Sequence, residues 1–356
     1  MLPLAAELFL QLTKIPSPSG KEALLRDFLL AYLKKYSITC YTDRAGNLIA
    51  KLPGWGQPLI LSSHLDTVSP CVGIKTQIKN GVIHSKGDTI LGADDKAGVA
   101  STLALITKLT EEKLQHRPLE LIFSVKEEVG CLGVKRLEYK LIRGRQAVVI
   151  DRSAPVNSIT LSAPFINRVE IICHGRAAHI VRSSEGISAI TILVNFINQI
   201  NKKIIKGSIS GIGLINGGSV FNVVPEKAMA VGEIRALKRM NLKKELKRWQ
   251  SLANQIVKKQ GGKIILKSEL LIRGYSIKKD NAFVKTVSKA IMQAGLDTVY
   301  SAALGASDAN VFNQHGIVAI PIGQGRTGAH SLKEAIPIKA FIDTEKILIN
   351  LVTNIQ

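Results

Sequence analysis

The chain reads as an α/β protein whose sheet-and-helix body is interrupted by a smaller inserted unit. Short apolar strand segments alternate with helical periodicity up to about residue 164, the pattern of a sheet covered by helices. At Phe165 the texture changes to strand, helix, strand, strand, helix, strand, which is the ferredoxin-like βαββαβ order. At 356 residues the chain also exceeds the length at which single hydrophobic cores usually stop growing. The expected division is 1–164 and 274–356 for the body and 165–273 for the insertion.

The elements follow in order. MLPLAAELFLQLTK is an apolar helix carrying Glu7; with no basic leader before its apolar stretch, it is expected to pack on the body rather than to direct secretion. Ser19-Gly20-Lys21-Glu22 has capping-box spacing and predicts a helix running to Tyr36. Strands are expected at Ser37 to Asp43, Asn47 to Lys51, Pro58 to Ser63, Leu119 to Val125 and Ala147 to Ile150, with helices at Gly98 to Leu109 and Gly130 to Leu141. In the insertion, strands at Phe165 to Cys173, near Ile212, at Ala228 to Ala236 and at Lys263 to Leu271 surround two helices. One helix is Gly186 to Lys202; the other carries Leu242, Leu246, Trp249, Leu252 and Ile256 on one face. Arg273-Gly274-Tyr275 marks the return to the body, completed by a helix from Ala282, a strand at Val318 to Ile322 and a helix from about Lys339.

Composition narrows the function classes. Hydrophobic residues at 46% and charged residues at 21% are ordinary for a folded soluble protein, and every apolar run falls short of the roughly 20 residues a membrane span needs. The four cysteines are far apart and form neither a paired metal-ligand spacing nor a disulfide framework, so reduced thiols in a cytoplasm are expected. Lys and Arg outnumber Asp and Glu 48 to 27, a net charge of +21. Because the basic residues are scattered, without an aromatic-interleaved stripe, they read as a solvated lysine-rich surface, and no nucleic-acid partner is expected.

Four polar clusters sit at or just beyond strand ends, where open α/β sheets gather ligands: SSHLDTV, LGADDKAG, SVKEEVG and VVIDRS. A fifth, GRTGAH, ends on His330 beyond the strand Val318 to Ile322. His64 and Asp66 point the same way in extended chain, so the carboxylate can bind or orient the imidazole; a surface His-x-Asp pair is the ordinary alternative. Asp94-Asp95 serves equally as a helix cap. Glu127 and Glu128 repel each other and need a cation or a raised pKa, and as neighbours they face different sides: one can bind metal while the other faces water as a general base. Asp151 after AVVI also suits a turn cap. Taken together, two imidazoles and three carboxylates suit a pair of divalent zinc-like ions, because four metal charges less three carboxylates leave one for a hydroxide to neutralise.

The stretches SSHLDTV, GADDKAGVA, EEVG, VVIDRS, GRAAH, FNVVPEKA and GAHSLKEAIPI resemble the two-metal metallopeptidase family of peptidase T, carboxypeptidase G and aminoacylase, most closely its peptidase T branch. The resemblance implies a mixed-sheet zinc-peptidase body with an inserted lid and dimerisation domain. It implies one ion on His64 and Asp151, a second on Glu128 and His330, and Asp94 shared between them. The implied metal is zinc, with cobalt or manganese as alternatives. Asp66 would orient His64, and Glu127 would act as general base on the water that attacks the scissile carbonyl. A cis peptide between Asp94 and Asp95 is implied too. His179, Asn222 and Arg235 match the family's substrate contacts, and Arg235 would clamp a peptide carboxylate.

The implied function is aminopeptidase action on short peptides, tripeptides foremost, by a cytoplasmic homodimer. The alternatives are an N-acyl-amino-acid amidohydrolase or carboxypeptidase with the same machinery and, from another class, a non-catalytic binding protein using its basic surface. Two departures bear on substrate choice: Arg152 follows Asp151 where relatives usually carry a small or acidic residue, and IVRSSEGISAI after His179 lacks the usual Ala-Gly and proline.

Overall fold

The structure, a computed structural model, describes residues 1–202 and 204–354. It divides into two compact units, one of residues 1–161, 276–302 and 307–356, the other of residues 162–275 and 303–306. The short segment 303–306 had no sequence signal; it joins the second unit where the Ala303 amide donates to the Ser162 carbonyl at 2.8 Å.

The first unit is built on a mixed sheet ordered Thr39–Thr42, Leu48–Leu52, Leu119–Ser124, Leu59–His64, Gln146–Arg152, Val318–Gly323, Ser158–Ala163 and Tyr275–Ser276, with Val299–Ala302 also pairing Ser158–Ala163. Its centre is parallel: Leu59–His64 lies between Leu119–Ser124 and Gln146–Arg152, and Val318–Gly323 continues the parallel set. Every residue of LILSSH and LELIFS is buried, as expected for strands covered on both faces. Leu4–Leu12, Ala93–Glu111 and Ile338–Thr353 pack together, with Phe9 and Phe341 ring centroids 5.3 Å apart.

Three local expectations change. The helix after Ser19 starts only at Ala23, and no side chain caps it. The Ser19 hydroxyl instead donates to Asp66 Oδ2 at 2.6 Å, while Glu22 Oε1 accepts from the amides of Gly20 and Lys126. A buried carboxylate is a stronger acceptor partner than a local orphan amide is a donor, so tertiary bonds displace the capping box. Helix 130–141 shrinks to Leu132–Lys135 and a 3-10 turn at Tyr139–Leu141, because Gly130 and Cys131 hold positive φ of 101° and 56° and delay the helical start. Helix Ala93–Glu111 begins earlier than its periodicity indicates; Asp94 and Asp95 inside it are non-helical and joined by a cis peptide. The hairpin Thr76–Lys79 and Val82–Ser85, which pairs with Ala335–Pro337, lacks a buried face strong enough to show as sequence alternation.

The second unit is a four-stranded antiparallel sheet ordered Ser208–Gly217, Lys227–Ala236, Phe165–His174 and Lys263–Ile272, packed by helices Ala189–Lys202 and Arg239–Gln260. Alternate residues of Lys227–Ala236 are buried, the signature of a one-faced sheet. Trp249 is fully buried, meets Phe196 edge-on at 5.9 Å, and donates its indole N–H to Glu245 at 3.0 Å. Trp249→Ala is expected to cost about 3–5 kcal/mol through the cavity it leaves, measured by denaturant unfolding; a loss near zero would show that this core does not limit stability. Among the described residues no helix is long and apolar enough to cross a membrane.

Candidate active site

All the polar clusters of the first unit leave the same edge of its sheet. In the parallel register His64 lies opposite Ser124, Ser62 opposite Val149 and Gly323 opposite Arg152. Asp151, at the end of strand Gln146–Arg152, and the loops carrying Glu127 and His330 therefore lie along one line of strand carboxyl ends. Helix Ala93–Glu111 brings Asp94 against that line because Gly98 has no side chain: a Cβ there would lie 2.3 Å from the Ile150 carbonyl and 2.6 Å from Ser63 Oγ.

His64 is buried, with Nε2 3.0 Å from Asp94 Oδ1 and 3.7 Å from Asp151 Oδ1. His330 is half-exposed, with Nε2 3.2 Å from Asp94 Oδ2 and 2.9 Å from Glu128 Oε1. Two donor groups result, His64–Asp94–Asp151 and Asp94–Glu128–His330, each with ligand atoms within 4.8 Å of one another, and Asp94 belongs to both. Glu127 is buried beside them, also within this reach of His64 and Glu128.

The electrostatics test whether these residues suit divalent ions. Burial pushes the Glu127 carboxyl well up, and burial with the nearby Asp94 charge raises Asp151 to about 6. Burial opposes charge on Asp94 too, yet Arg326, His330 and His64 hold its carboxyl well below the usual range. The close approach of the Asp94 and Glu128 carboxylates raises His330 to about 10. Protons and a guanidinium thus neutralise a crowded carboxylate cluster, the task a divalent cation performs with the same nitrogen and oxygen donors. The donor set fits.

Asp66 does more than the sequence indicates. His64 Nδ1 contacts the Asp66 carbonyl oxygen at 2.9 Å, while the carboxylate Oδ1 stands farther off at 3.5 Å. That carboxylate accepts the amides of Glu127 at 2.9 Å and Glu128 at 3.1 Å, together with the Ser19 hydroxyl, so it shapes the Glu127–Glu128 turn as well as facing His64.

Several residues at this edge were given no role in the site by the sequence. Buried Glu334 accepts the Gly92 amide at 2.7 Å and the Asp94 amide at 2.9 Å, tying the Asp94 loop down. Asp95 accepts the His64 amide at 3.0 Å and a Gln324 side-chain N–H. Asp308, raised to about 7 by burial, accepts from Ser124 and lies in a group with Glu127 and Cys131. Arg326 contacts Asp94 and Asp151 directly. Glu334 and Arg326 fall inside the GRTGAHSLKE stretch, but only tertiary packing shows what they touch. Arg152, the basic residue that stood out in sequence, forms no ion pair among the described residues. Glu334→Ala is expected to weaken metal affinity by about 10–100-fold, the usual effect of losing a residue that orients a ligand; unchanged affinity by calorimetry would leave Glu334 a purely structural residue.

His179, Asn222 and Arg235 belong to the second unit. His179 bridges Val223 and the Ile180 amide donates to the Asn222 carbonyl at 3.0 Å, so the His179 and Asn222 segments run side by side. Arg235 lies elsewhere in that unit, its guanidinium held by Glu233 at 2.7 Å and by the Leu304 carbonyl at 3.2 Å.

A model of the peptidase family M20/M25/M40 matches residues 60–354. The chain is also 30% identical over 360 residues to the Bacillus subtilis protein YqjE, covering 97% of this chain and 96% of that one. The chain belongs to the M20/M25/M40 peptidase family. Among solved structures this M20-family peptidase is similar to aminopeptidase PepT of Bacillus cereus, with a TM-score of 0.89, 28% identity and coverage of 98% and 97% of the two chains. It is also similar to a tripeptidase of Staphylococcus aureus, with a TM-score of 0.92, 27% identity and the same coverage. The wider fold of the M20-family chain is shared with a dinuclear metal-binding peptidase of Bacillus subtilis at a TM-score of 0.73, 18% identity and coverage of 98% and 96%.

Proposed function

We propose that this peptidase is a two-zinc aminopeptidase that trims short peptides, tripeptides foremost, in the cytoplasm. The observation that carries the reading is the pair of donor groups sharing Asp94, with the buried Glu127 carboxylate beside them. The likeness over nearly the whole chain to an aminopeptidase and a tripeptidase supports the substrate class.

In this reading His64 and Asp151 hold one ion, Glu128 and His330 the other, and Asp94 both. When bound, such ions supply Lewis acidity that makes water a better nucleophile and polarises the scissile carbonyl. Glu127 takes the proton of the attacking water on its carboxylate and returns it to the leaving amine; burial, which favours its protonated form, suits it to both transfers. Asp66 holds the turn that aims Glu127 and keeps His64 in place. His179 and Asn222 contact the peptide, and Arg235 binds its carboxylate by exchanging Glu233 for it.

A homodimer through the inserted unit is part of the proposal. Ser208–Gly217 is an edge strand with Leu214 and Ile215 exposed at 69% and 60%, an apolar edge of the kind that pairs with a second copy. Sedimentation should show a dimer for the native chain and a monomer for the Leu214→Lys, Ile215→Lys double variant; a native monomer would remove this element. Free thiols at all four cysteines support the cytoplasmic placement.

The deciding experiment compares tripeptides, N-acetyl amino acids and peptides ending in glutamate as substrates of the zinc-loaded protein. Release of the N-terminal residue from tripeptides is expected. Cleavage confined to acylated amino acids or to the C-terminal residue would replace the aminopeptidase reading with a deacylase or carboxypeptidase one.

A further inference from the structure

Arg326 is a permanent cation built into the candidate metal centre. Its side chain is buried, Nη2 lies 2.8 Å from Asp94 Oδ2 and 2.9 Å from Asp151 Oδ1, and Nη1 lies 3.6 Å from Asp95 Oδ1. Nε donates to Ser153 Oγ at 2.9 Å and Nη1 donates to Gln324 Oε1, so the guanidinium is also held by neutral partners. A guanidinium does not lose its proton in a protein, and its fork is suited to carboxylates.

This changes the charge count on which two equal ions rest. Asp94, Glu128 and Asp151 carry three negative charges, and Arg326 cancels one. A single divalent ion balances the remaining two; a second leaves an excess that one hydroxide does not remove. The two donor groups also differ in what is still free to bind. Asp94 Oδ2, shared by both groups, lies 2.8 Å from the guanidinium, but in the His64 group Asp151 Oδ1 is engaged by it as well, and His64 Nε2 already faces Asp94 Oδ1 at 3.0 Å. Glu128 Oε1 is buried 2.9 Å from His330 Nε2, yet among the described residues no group makes a properly angled hydrogen bond to it. A buried acceptor left in that condition is costly unless a cation completes it.

We propose that Arg326 makes the two ion positions unequal: Asp94–Glu128–His330 fills tightly, and His64–Asp94–Asp151 takes its ion weakly, against the guanidinium. The inference rests on the two-metal reading and deepens it, since the second ion then sets activity according to metal supply. Arg326 acts here as a positioning residue, through the carboxylates it holds.

The test titrates metal-free protein with Mn²⁺, read by calorimetry and electron paramagnetic resonance. The native protein should bind one ion tightly and a second on the order of 100-fold more weakly, the scale of one unit charge a few ångströms away. Arg326→Gln should bind two ions within about tenfold of each other and show a spin-coupled pair at two equivalents, while Arg326→Lys keeps the native inequality. His330→Ala should remove the tight ion and His64→Ala the weak one; this assignment holds whether or not the Arg326 variants fold. Two indistinguishable ions in the native protein, or an unchanged affinity ratio in folded Arg326→Gln, would overturn the proposal and leave the two-metal reading intact. Absence of any Mn²⁺ binding would overturn both.

Discussion

Glu127→Ala lowers kcat by about 10²–10⁴-fold while the protein retains its metal, the loss expected when a positioned general base is removed. The carboxylate is buried beside both donor groups without being needed to complete either, since each has its own imidazole and carboxylates. Its backbone is fixed by the Asp66 carboxylate at 2.9 Å, so truncating the side chain leaves the turn and the Glu128 carboxylate in place. KM should change little, because in its proposed role Glu127 acts on the proton in flight rather than on the resting peptide. Glu127→Asp, which withdraws the carboxylate by one methylene, should recover part of the rate. Native kcat in the alanine variant would eliminate Glu127 as the base, and loss of metal alongside activity would recast it as a ligand.

Asp94→Ala should have the larger structural effect, because Asp94 is the residue that both donor groups share. Its removal leaves His64 with Asp151 on one side and Glu128 with His330 on the other, and it strips Arg326 of its 2.8 Å partner. Hydrolysis should fall below detection even at saturating metal, and elemental analysis should find neither ion retained through dialysis. Metal addition should also cease to protect the fold. A ligand at about 100 times its dissociation constant stabilises the native state by about 2.7 kcal/mol, and the variant should show none of that rise in Tm. His330→Ala, which depletes one group alone, should keep part of it. Retention of two ions by Asp94→Ala would rule out a shared ligand.

The family and the order of elements could be read in the chain because the chemistry is concentrated. Strands such as LILSSH and LELIFS are apolar-rich and buried throughout, and the residue types able to bind cations follow at or beyond their ends. Those clusters together with the family resemblance pointed to His64, Asp94, Glu128, Asp151 and His330, and the structure brings them into two groups that share Asp94, His64–Asp94–Asp151 and Asp94–Glu128–His330. The βαββαβ order was legible for a similar reason, since the helix carrying Trp249 and the alternating strand Lys227–Ala236 each expose one clear periodicity.

What tertiary structure alone decided is who partners whom. Ser19 and Glu22 have the spacing of a helix cap, and only the arrival of Asp66 and the Lys126 amide from distant segments shows that they serve the site instead. The basic residue next to Asp151 in sequence, Arg152, makes no ion pair among the described residues, whereas Arg326, from a loop 175 positions beyond Asp151, reaches the acids. Local sequence sets periodicity, turn chemistry and the inventory of charges, because those act over a few residues. Pairing of buried charges depends on which loops a sheet edge gathers, and a folded edge can place any of them side by side.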